Sequence, residues 1–225
     1  MSLINALPGA SAQGLIWGIM AIGVYLTFRI LDVADLTVDG TMCTGGAVCV
    51  MMLMSGHNIW VSMLAATGAG MLAGLATGIF HTFMGIPAIL AGILTQLGLY
   101  SANLKIMGKA NQPVSVDNYP LVVSLRYVTD GSVSRLLFFL GMIVFLLALI
   151  AVMYWYFGTE QGHAIRATGC NSNMARAQGI NTNFIKVLAL MISNGLVGLC
   201  GALYGQFQGA SDVNMGRGAI VIGLA

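Results

Sequence analysis

Charged residues are scarce in this sequence. Nine of its 225 residues are Lys or Arg and seven are Asp or Glu, so only 7% carry a formal charge, against about 25% in a typical soluble domain. So few charges cannot cover the surface of a water-soluble globule of this size. The composition therefore excludes a soluble enzyme, a nucleic-acid-binding domain and a disordered chain.

Motifs for metal binding and catalysis are also missing. The four cysteines form no C-x-x-C pair, and the three histidines lie far apart, so we expect neither a metal site nor a cofactor. The sequence contains no P-loop and no nucleophile motif. We therefore expect that the chain is not an enzyme and that it does not bind ATP by itself.

Long apolar runs dominate what remains. Hydrophobic residues make up 58% of the chain, and 30 residues are glycine. A helical span needs about 20 apolar residues to cross the hydrocarbon core, so the sequence predicts an all-α, polytopic membrane bundle of about six spans plus an incomplete seventh. The six predicted spans are Gly14–Leu31, Gly40–Ser55, Ile59–Phe83, Ile86–Leu104, Leu136–Phe157 and Phe184–Phe207.

The seventh run begins at Ala219 and is apolar to Ala225. Seven residues cover only about 10 Å of the bilayer, so we expect the natural chain to continue past 225. The alternative is a re-entrant half-helix that starts at the flexible residues Gly216 and Gly218.

Two connectors between spans carry local signals. In the acidic connector, residues 32–39, Thr37 and Asp39 are predicted to cap the next helix. The polar connector 158–183 is predicted to form two short helices. Gly169 would break the first, and Asn171 or Ser172 would cap the second.

Two ladders of glycines are spaced four residues apart, which places each ladder on one helix face. Such faces let helices approach closely, either within one bundle or at a dimer seam. The ladders are Gly70, Gly74 and Gly78, and Gly201, Gly205 and Gly209.

Uncharged polar residues interrupt the apolar spans. In lipid such groups need hydrogen-bond partners or a water-filled path. They therefore either form interhelical hydrogen bonds or line a path for a substrate. The candidates are Thr95, Gln96, Asn194 and Gln206.

The connector between the fifth and sixth spans carries a family resemblance. Its pattern G-x-x-x-R-A-x-G-x-N, followed by A-x-x-x-G-I-N, resembles the cytoplasmic coupling segment of ABC-importer permeases of the branched-chain amino acid and ribose class. The residues that match are Gly162, Arg166, Ala167, Gly169, Asn171, Ala175, Gly179, Ile180 and Asn181. The stretch Ala34–Gly40 resembles a subgroup linked to aromatic amino acid uptake.

The resemblance implies a single transmembrane permease domain over residues 1–225, with the coupling segment 158–183 facing the cytoplasm. Such a subunit sits in the bacterial cytoplasmic membrane, among lipid, and translocates a small polar solute, here an amino acid. Its implied partners are a dimer of ATPase subunits, an extracytoplasmic solute-binding protein and a second permease copy, with no nucleic acid. A channel or a secondary carrier without an ATPase is the alternative function.

Overall fold

A computed structural model describes residues 2–114, 121–123 and 135–224 of the chain, apart from the side chains of 2–7, 135–137 and 224. The helices are α1 (Ser2–Tyr25), a π-helical turn (Leu26–Ile30), α2 (Val38–Met54), α3 (Ile59–Thr82), α4 (Ala88–Met107), α5 (Arg135–Phe157), α6 (Glu160–Cys170), α7 (Ser172–Ala177), α8 (Thr182–Gln208) and α9 (Ala219–Leu224). Two three-residue strands, β1 (Asn111–Pro113) and β2 (Ala210–Asp212), pair antiparallel.

The predicted all-helical membrane bundle is confirmed. Within the described residues, five helical segments are long and apolar enough to cross a membrane: Pro8–Ile30, Ile59–Thr82, Ala88–Met107, Phe138–Phe157 and Thr182–Gln208. The second predicted span corresponds to α2, which is apolar but only 17 residues long. Much of the polar connector between the fourth and fifth spans, residues 115–120 and 124–134, lies outside the described residues.

Helix α8 lies at the centre of the bundle. Its most apolar window is 72% buried, whereas the corresponding window of α5 is only 17% buried. Along α3, Gly70 meets Asn194 of α8 and Gly78 meets Val187, so the two helices run antiparallel. Helix α2 runs parallel to α8, since Thr41 bonds to Asn194 and, further along both helices, Cys49 contacts Gln206.

Glycines let the backbones of α3 and α8 touch. A Cβ atom added at Gly74 would overlap the carbonyl oxygen of Leu190, and one added at Gly70 would overlap that of Asn194. Because a methyl group cannot fit there, only glycine permits this separation between the helix axes. The first glycine ladder therefore packs within the chain.

The second glycine ladder lies where α2 packs against the end of α8. A Cβ atom at Gly201 would overlap the carbonyl oxygen of Met42, and Gly205 lies beside Gly46 of α2. Gly209 has a left-handed backbone, with φ of 69°, and forms the C-cap of α8. Two members of this ladder thus pack helices together and the third ends one.

The two ends of the bundle differ in structure. At one end, which we call the strand end, β1 and β2 pair with Asn111 opposite Asp212. At the other end, which we call the short-helix end, α6 and α7 connect α5 to α8. Gln13 of α1 bonds to Tyr204 near the end of α8, whereas Gly23 accepts a hydrogen bond from Ser193 earlier in that helix. The start of α1 therefore lies toward the strand end.

The capping prediction for the acidic connector is wrong. Thr37 occupies the N-cap position of α2, but its side chain caps no backbone N–H there. The Asp39 carboxylate accepts hydrogen bonds from the backbone N–H groups of Gly218 and Ile220, both at 3.1 Å. Asp39 therefore caps α9, which lies 180 residues along the chain, because the segment after β2 returns to the start of α2.

The glycine contacts predict a sharp difference between two alanine substitutions in α3. Gly74→Ala should lower the stability of the bundle by about 1–3 kcal/mol, because the new methyl group overpacks against Leu190. Gly68→Ala is the matched control, since no atom of the described residues lies within 4 Å of its Cβ position. Thermal unfolding of the detergent-purified protein measures both, and equal midpoints would contradict the packing argument.

Candidate functional site

Three of the four polar residues predicted within the spans are buried. Asn194 and Gln206 are fully buried and Thr95 is 7% exposed. Gln96, one residue further along α4, is partly exposed and lines a cavity of about 220 Å³. The four residues are therefore not brought into one site: Asn194 and Thr95 belong to two hydrogen-bond groups that share Thr37. Gln206 belongs to a third group, and Gln96 lines the cavity.

Asn194 forms the first group with a buried carboxylate. Its amide nitrogen donates to Asp35 Oδ2 at 2.6 Å, and its amide oxygen accepts from the Thr41 hydroxyl at 2.7 Å. The other carboxylate oxygen, Asp35 Oδ1, accepts from the backbone N–H of Thr37 at 2.9 Å. Asp35 is 1% exposed, so these bonds replace the water that a carboxylate would otherwise need.

Three threonine hydroxyls form the second group. Thr77 Oγ1 lies 2.7 Å from Thr37 Oγ1 and 2.9 Å from Thr95 Oγ1. The chain of hydroxyls joins the start of α2 to α3 and α4. A hydroxyl is both donor and acceptor, so a row of three can satisfy itself within an apolar bundle.

Gln206 forms the third group near the strand end. Its amide oxygen accepts from the backbone N–H of Val122 at 3.2 Å, and its amide nitrogen lies 3.3 Å from Cys49 Sγ. The side chain thus ties the short described segment 121–123 to α8 and α2.

Reasoning from the sequence missed Asp35, Thr37 and Thr77 as members of these groups. The acidic connector was expected to be a polar link with capping residues, whereas it folds back against α8. One sequence signal could have indicated that Asp35 is buried: both of its neighbours, Ala34 and Leu36, are apolar.

The short helices α6 and α7 have well-defined boundaries. The Thr159 side chain caps α6, and Asn171 Oδ1 caps α7 by accepting from the backbone N–H groups of Asn173 and Met174. Of the two capping residues predicted for α7, the structure thus uses Asn171. Gly179, with φ of 85°, follows the helix, and the N–H of Ile180 donates to the carbonyl of Ala175, which is the Schellman pattern.

The prediction that Gly169 breaks the first short helix is wrong, because Gly169 lies inside α6. A Cβ atom there would overlap the carbonyl oxygen of Ile30 at the end of the π-helical turn. A Cβ atom added at Gly162 would likewise overlap the backbone of Phe157. Both glycines therefore hold α6 tightly against the ends of the spanning helices.

The remaining residues of the matched pattern divide between anchored and exposed positions. The Arg166 guanidinium lies 5.2 Å from the centre of the Phe157 ring. Arg176, which is not part of the matched pattern, donates to Thr182 Oγ1 at 3.1 Å. Asn181 caps α8 by accepting from the N–H of Phe184. Ala167 is exposed, whereas Ala175 is only 2% exposed. Ala175 therefore packs within its own chain.

The Asp35 group predicts a strong effect of one substitution. Asn194→Leu should destabilise the bundle by about 2–3 kcal/mol, because a buried carboxylate loses a charge-assisted hydrogen bond. Asn183→Leu is the matched control, since Asn183 is exposed on the same helix. Adding Asp35→Asn to the Asn194→Leu variant should restore part of the loss, because a neutral amide is less costly to bury.

Thermal unfolding of the detergent-purified variants measures these differences. A midpoint for Asn194→Leu equal to that of Asn183→Leu would contradict the role given to the Asp35 group.

Comparison with known proteins adds three relatives. The chain is 40% identical over 99% of its length to a tyrosine transport system permease protein of Clostridioides difficile, of which it covers 72%. It is 33% identical over 98% of its length to an uncharacterized protein of Rickettsia prowazekii, covering 75% of that protein. It is 31% identical over 88% of its length to the galactofuranose transporter permease protein YtfT of Escherichia coli, covering 56%. No solved structure matches the chain.

A family model, described as the permease component of branched-chain amino acid transport systems, matches residues 8–225. The match includes all the spanning helices, the short helices α6 and α7, and the polar groups around Asp35 and Gln206. Together with the helical bundle, it establishes a multi-pass protein of the cytoplasmic membrane. The chain belongs to the branched-chain amino acid transport permease family.

Proposed function

We propose that the chain is the membrane-spanning subunit of an ABC importer that takes up an amino acid, with an aromatic amino acid as the preferred substrate. The substrate class is supported by the tyrosine transport permease, which aligns with 99% of this chain. It is also supported by the resemblance of Ala34–Gly40 to the aromatic amino acid subgroup.

The observation that carries the proposal is the arrangement of α6 and α7. These helices of 11 and 6 residues are too short to span a bilayer, and they link α5 to the central helix α8. Gly162 and Gly169 hold α6 against neighbouring backbone, and Ile165 is fully buried. A displacement of the exposed face of α6 and α7 would therefore be transmitted to α8 without first deforming the connector.

An ATPase subunit is the partner that would apply such a force. Met174 on α7 is 61% exposed although it is apolar, and an apolar side chain on an outward helical surface suits a protein contact. We propose that two ATPase subunits dock here, that an extracytoplasmic solute-binding protein delivers the substrate at the strand end, and that the permease acts as a homodimer.

The proposed docking of the ATPase implies an orientation of the chain in the membrane. The short-helix end faces the cytoplasm, so the strand end and the start of α1 face the outside. Positive residues lie at both ends, with Arg166 and Arg176 at the short-helix end and Lys105 and Lys109 beside β1 at the strand end. The positive-inside rule gives a near tie, so the orientation rests on the resemblance of the coupling segment.

A charge introduced at Met174 tests the docking surface. Met174→Asp should reduce co-purification of the ATPase and lower ATP-dependent uptake at least about tenfold, because burying an unpaired carboxylate at an interface is costly. Met174→Leu is the matched control and should retain both the co-purification of the ATPase and the ATP-dependent uptake. Membrane insertion should be the same for both variants, because the Met174 side chain is mostly exposed.

The measurement is uptake of L-tyrosine by proteoliposomes that contain the full-length permease, the ATPase and the binding protein, with and without internal ATP. Uptake that does not depend on ATP would support a channel or secondary carrier instead. Full co-purification and uptake by Met174→Asp would show that the ATPase docks elsewhere.

A further inference from the structure

A cavity of about 220 Å³ lies between α2, α4 and the segment that joins β2 to α9. Its walls include Asp39 at the start of α2, Gln96 and Asn103 on α4, and Arg217 just before α9. Pockets for drug-sized ligands occupy about 300–1,000 Å³, so this cavity suits a smaller solute. It does not overlap the polar groups formed by Asp35, Thr77 and Gln206.

The wall of the cavity contains an unsatisfied amide. Asn103 is fully buried, yet neither its amide nitrogen nor its amide oxygen has a hydrogen-bond partner among the described residues. Buried side-chain amides are almost always paired, because the loss of water is otherwise uncompensated. An unpaired donor and acceptor on a cavity wall are therefore what a bound polar ligand would satisfy.

One carboxylate in the cavity is held in place. Asp39 accepts hydrogen bonds from the backbone N–H groups of Gly218 and Ile220, at 3.1 Å each. A carboxylate has about four acceptor positions, so it can accept further donors from a ligand. An ammonium group is the donor that would gain most, because its charge is opposite.

One guanidinium group lies on the same cavity. Arg217 immediately precedes Gly218, whose backbone N–H bonds to Asp39, so the two charged side chains come from segments that are tied together. A guanidinium can hold a carboxylate through two parallel hydrogen bonds. Opposite charges on a cavity of this size match a ligand that carries both charges.

The rest of the wall is apolar or aromatic. Leu97 and Tyr100 of α4 line the cavity and remain 64% and 43% exposed. Their position gives an uncharged surface beside the polar groups, on which an apolar or aromatic side chain could pack.

We propose that this cavity binds a zwitterionic α-amino acid, with its ammonium group at Asp39, its carboxylate at Arg217 and its polar groups also bonded to Asn103. The inference rests on the proposed function, since it names the place where the transported amino acid is held. The Asp39 bonds to Gly218 and Ile220 also connect the site to α9, so that ligand binding and the position of α9 depend on each other.

Asn103→Leu gives the most selective test. Leucine has nearly the shape of asparagine but no unpaired polar atoms, so the substitution should leave the thermal unfolding midpoint unchanged or raise it. The same substitution should raise the KM for L-tyrosine uptake about tenfold, because the ligand loses its amide contact. If Asn103 had only a structural role, its substitution by leucine would not weaken binding while leaving stability unchanged.

Arg217→Gln tests the charge, with Lys109→Gln as the matched control. Lys109 is exposed near the same end of the bundle but does not line the cavity. Arg217→Gln should raise KM at least about tenfold, Arg217→Lys should retain part of the affinity, and Lys109→Gln should leave KM unchanged.

The assays use the full-length permease reconstituted with its ATPase and binding protein, and two competitors of L-tyrosine uptake. Tyramine lacks the carboxylate and 3-(4-hydroxyphenyl)propionate lacks the ammonium group, so neither should compete well. Unchanged KM in both Asn103→Leu and Arg217→Gln would overturn the site and leave the amino acid importer intact. Absence of tyrosine uptake by the wild-type complex, with uptake of a sugar instead, would overturn the proposed function itself.

Discussion

The close approach of backbones around α8 is the constraint on which the rest of the structure depends. Gly198 of α8 lies against Gly45 of α2 and Gly70 of α3, so three helices meet where none has a side chain between them. In lipid, apolar side chains gain little by leaving one apolar medium for another, so close van der Waals contact between helices must supply much of the association. This contact fixes how far apart the polar side chains of the same helices can be.

The polar groups follow from that spacing. Thr41 reaches Asn194 across 2.7 Å only because α2 and α8 are that close, and Asn194 in turn reaches the carboxylate of Asp35. Small residues and polar residues thus act together: the glycines set the distance and the amide and hydroxyl groups specify the register. A buried carboxylate is costly unless fully bonded, so any other register of α8 against α2 would be strongly disfavoured.

The sequence predicts much of this architecture and misses what depends on contacts between distant segments. The spans were predictable because their length and composition are set by the bilayer, and the cap at Asn171 was predictable because it acts three residues away. The roles of Asp39 and Gly169 were not, since each depends on a residue more than 130 positions distant, Gly218 and Ile30 respectively. Local signals predicted that Asp39 caps α2 and that Gly169 ends α6. In the structure Asp39 caps α9, and Gly169 packs against Ile30.

The same long-range contacts link the two ends of the molecule. Helix α6 is held against Ile30, and the connector that follows Ile30 carries Asp35 into contact with α8 and leads directly to Asp39. A displacement of α6 would therefore act on the start of α2 through a short segment that Asp35 holds against α8. Because Asp39 also holds the start of α9 and lines the cavity, the first turn of α2 is the point at which a movement at the short-helix end would alter the cavity.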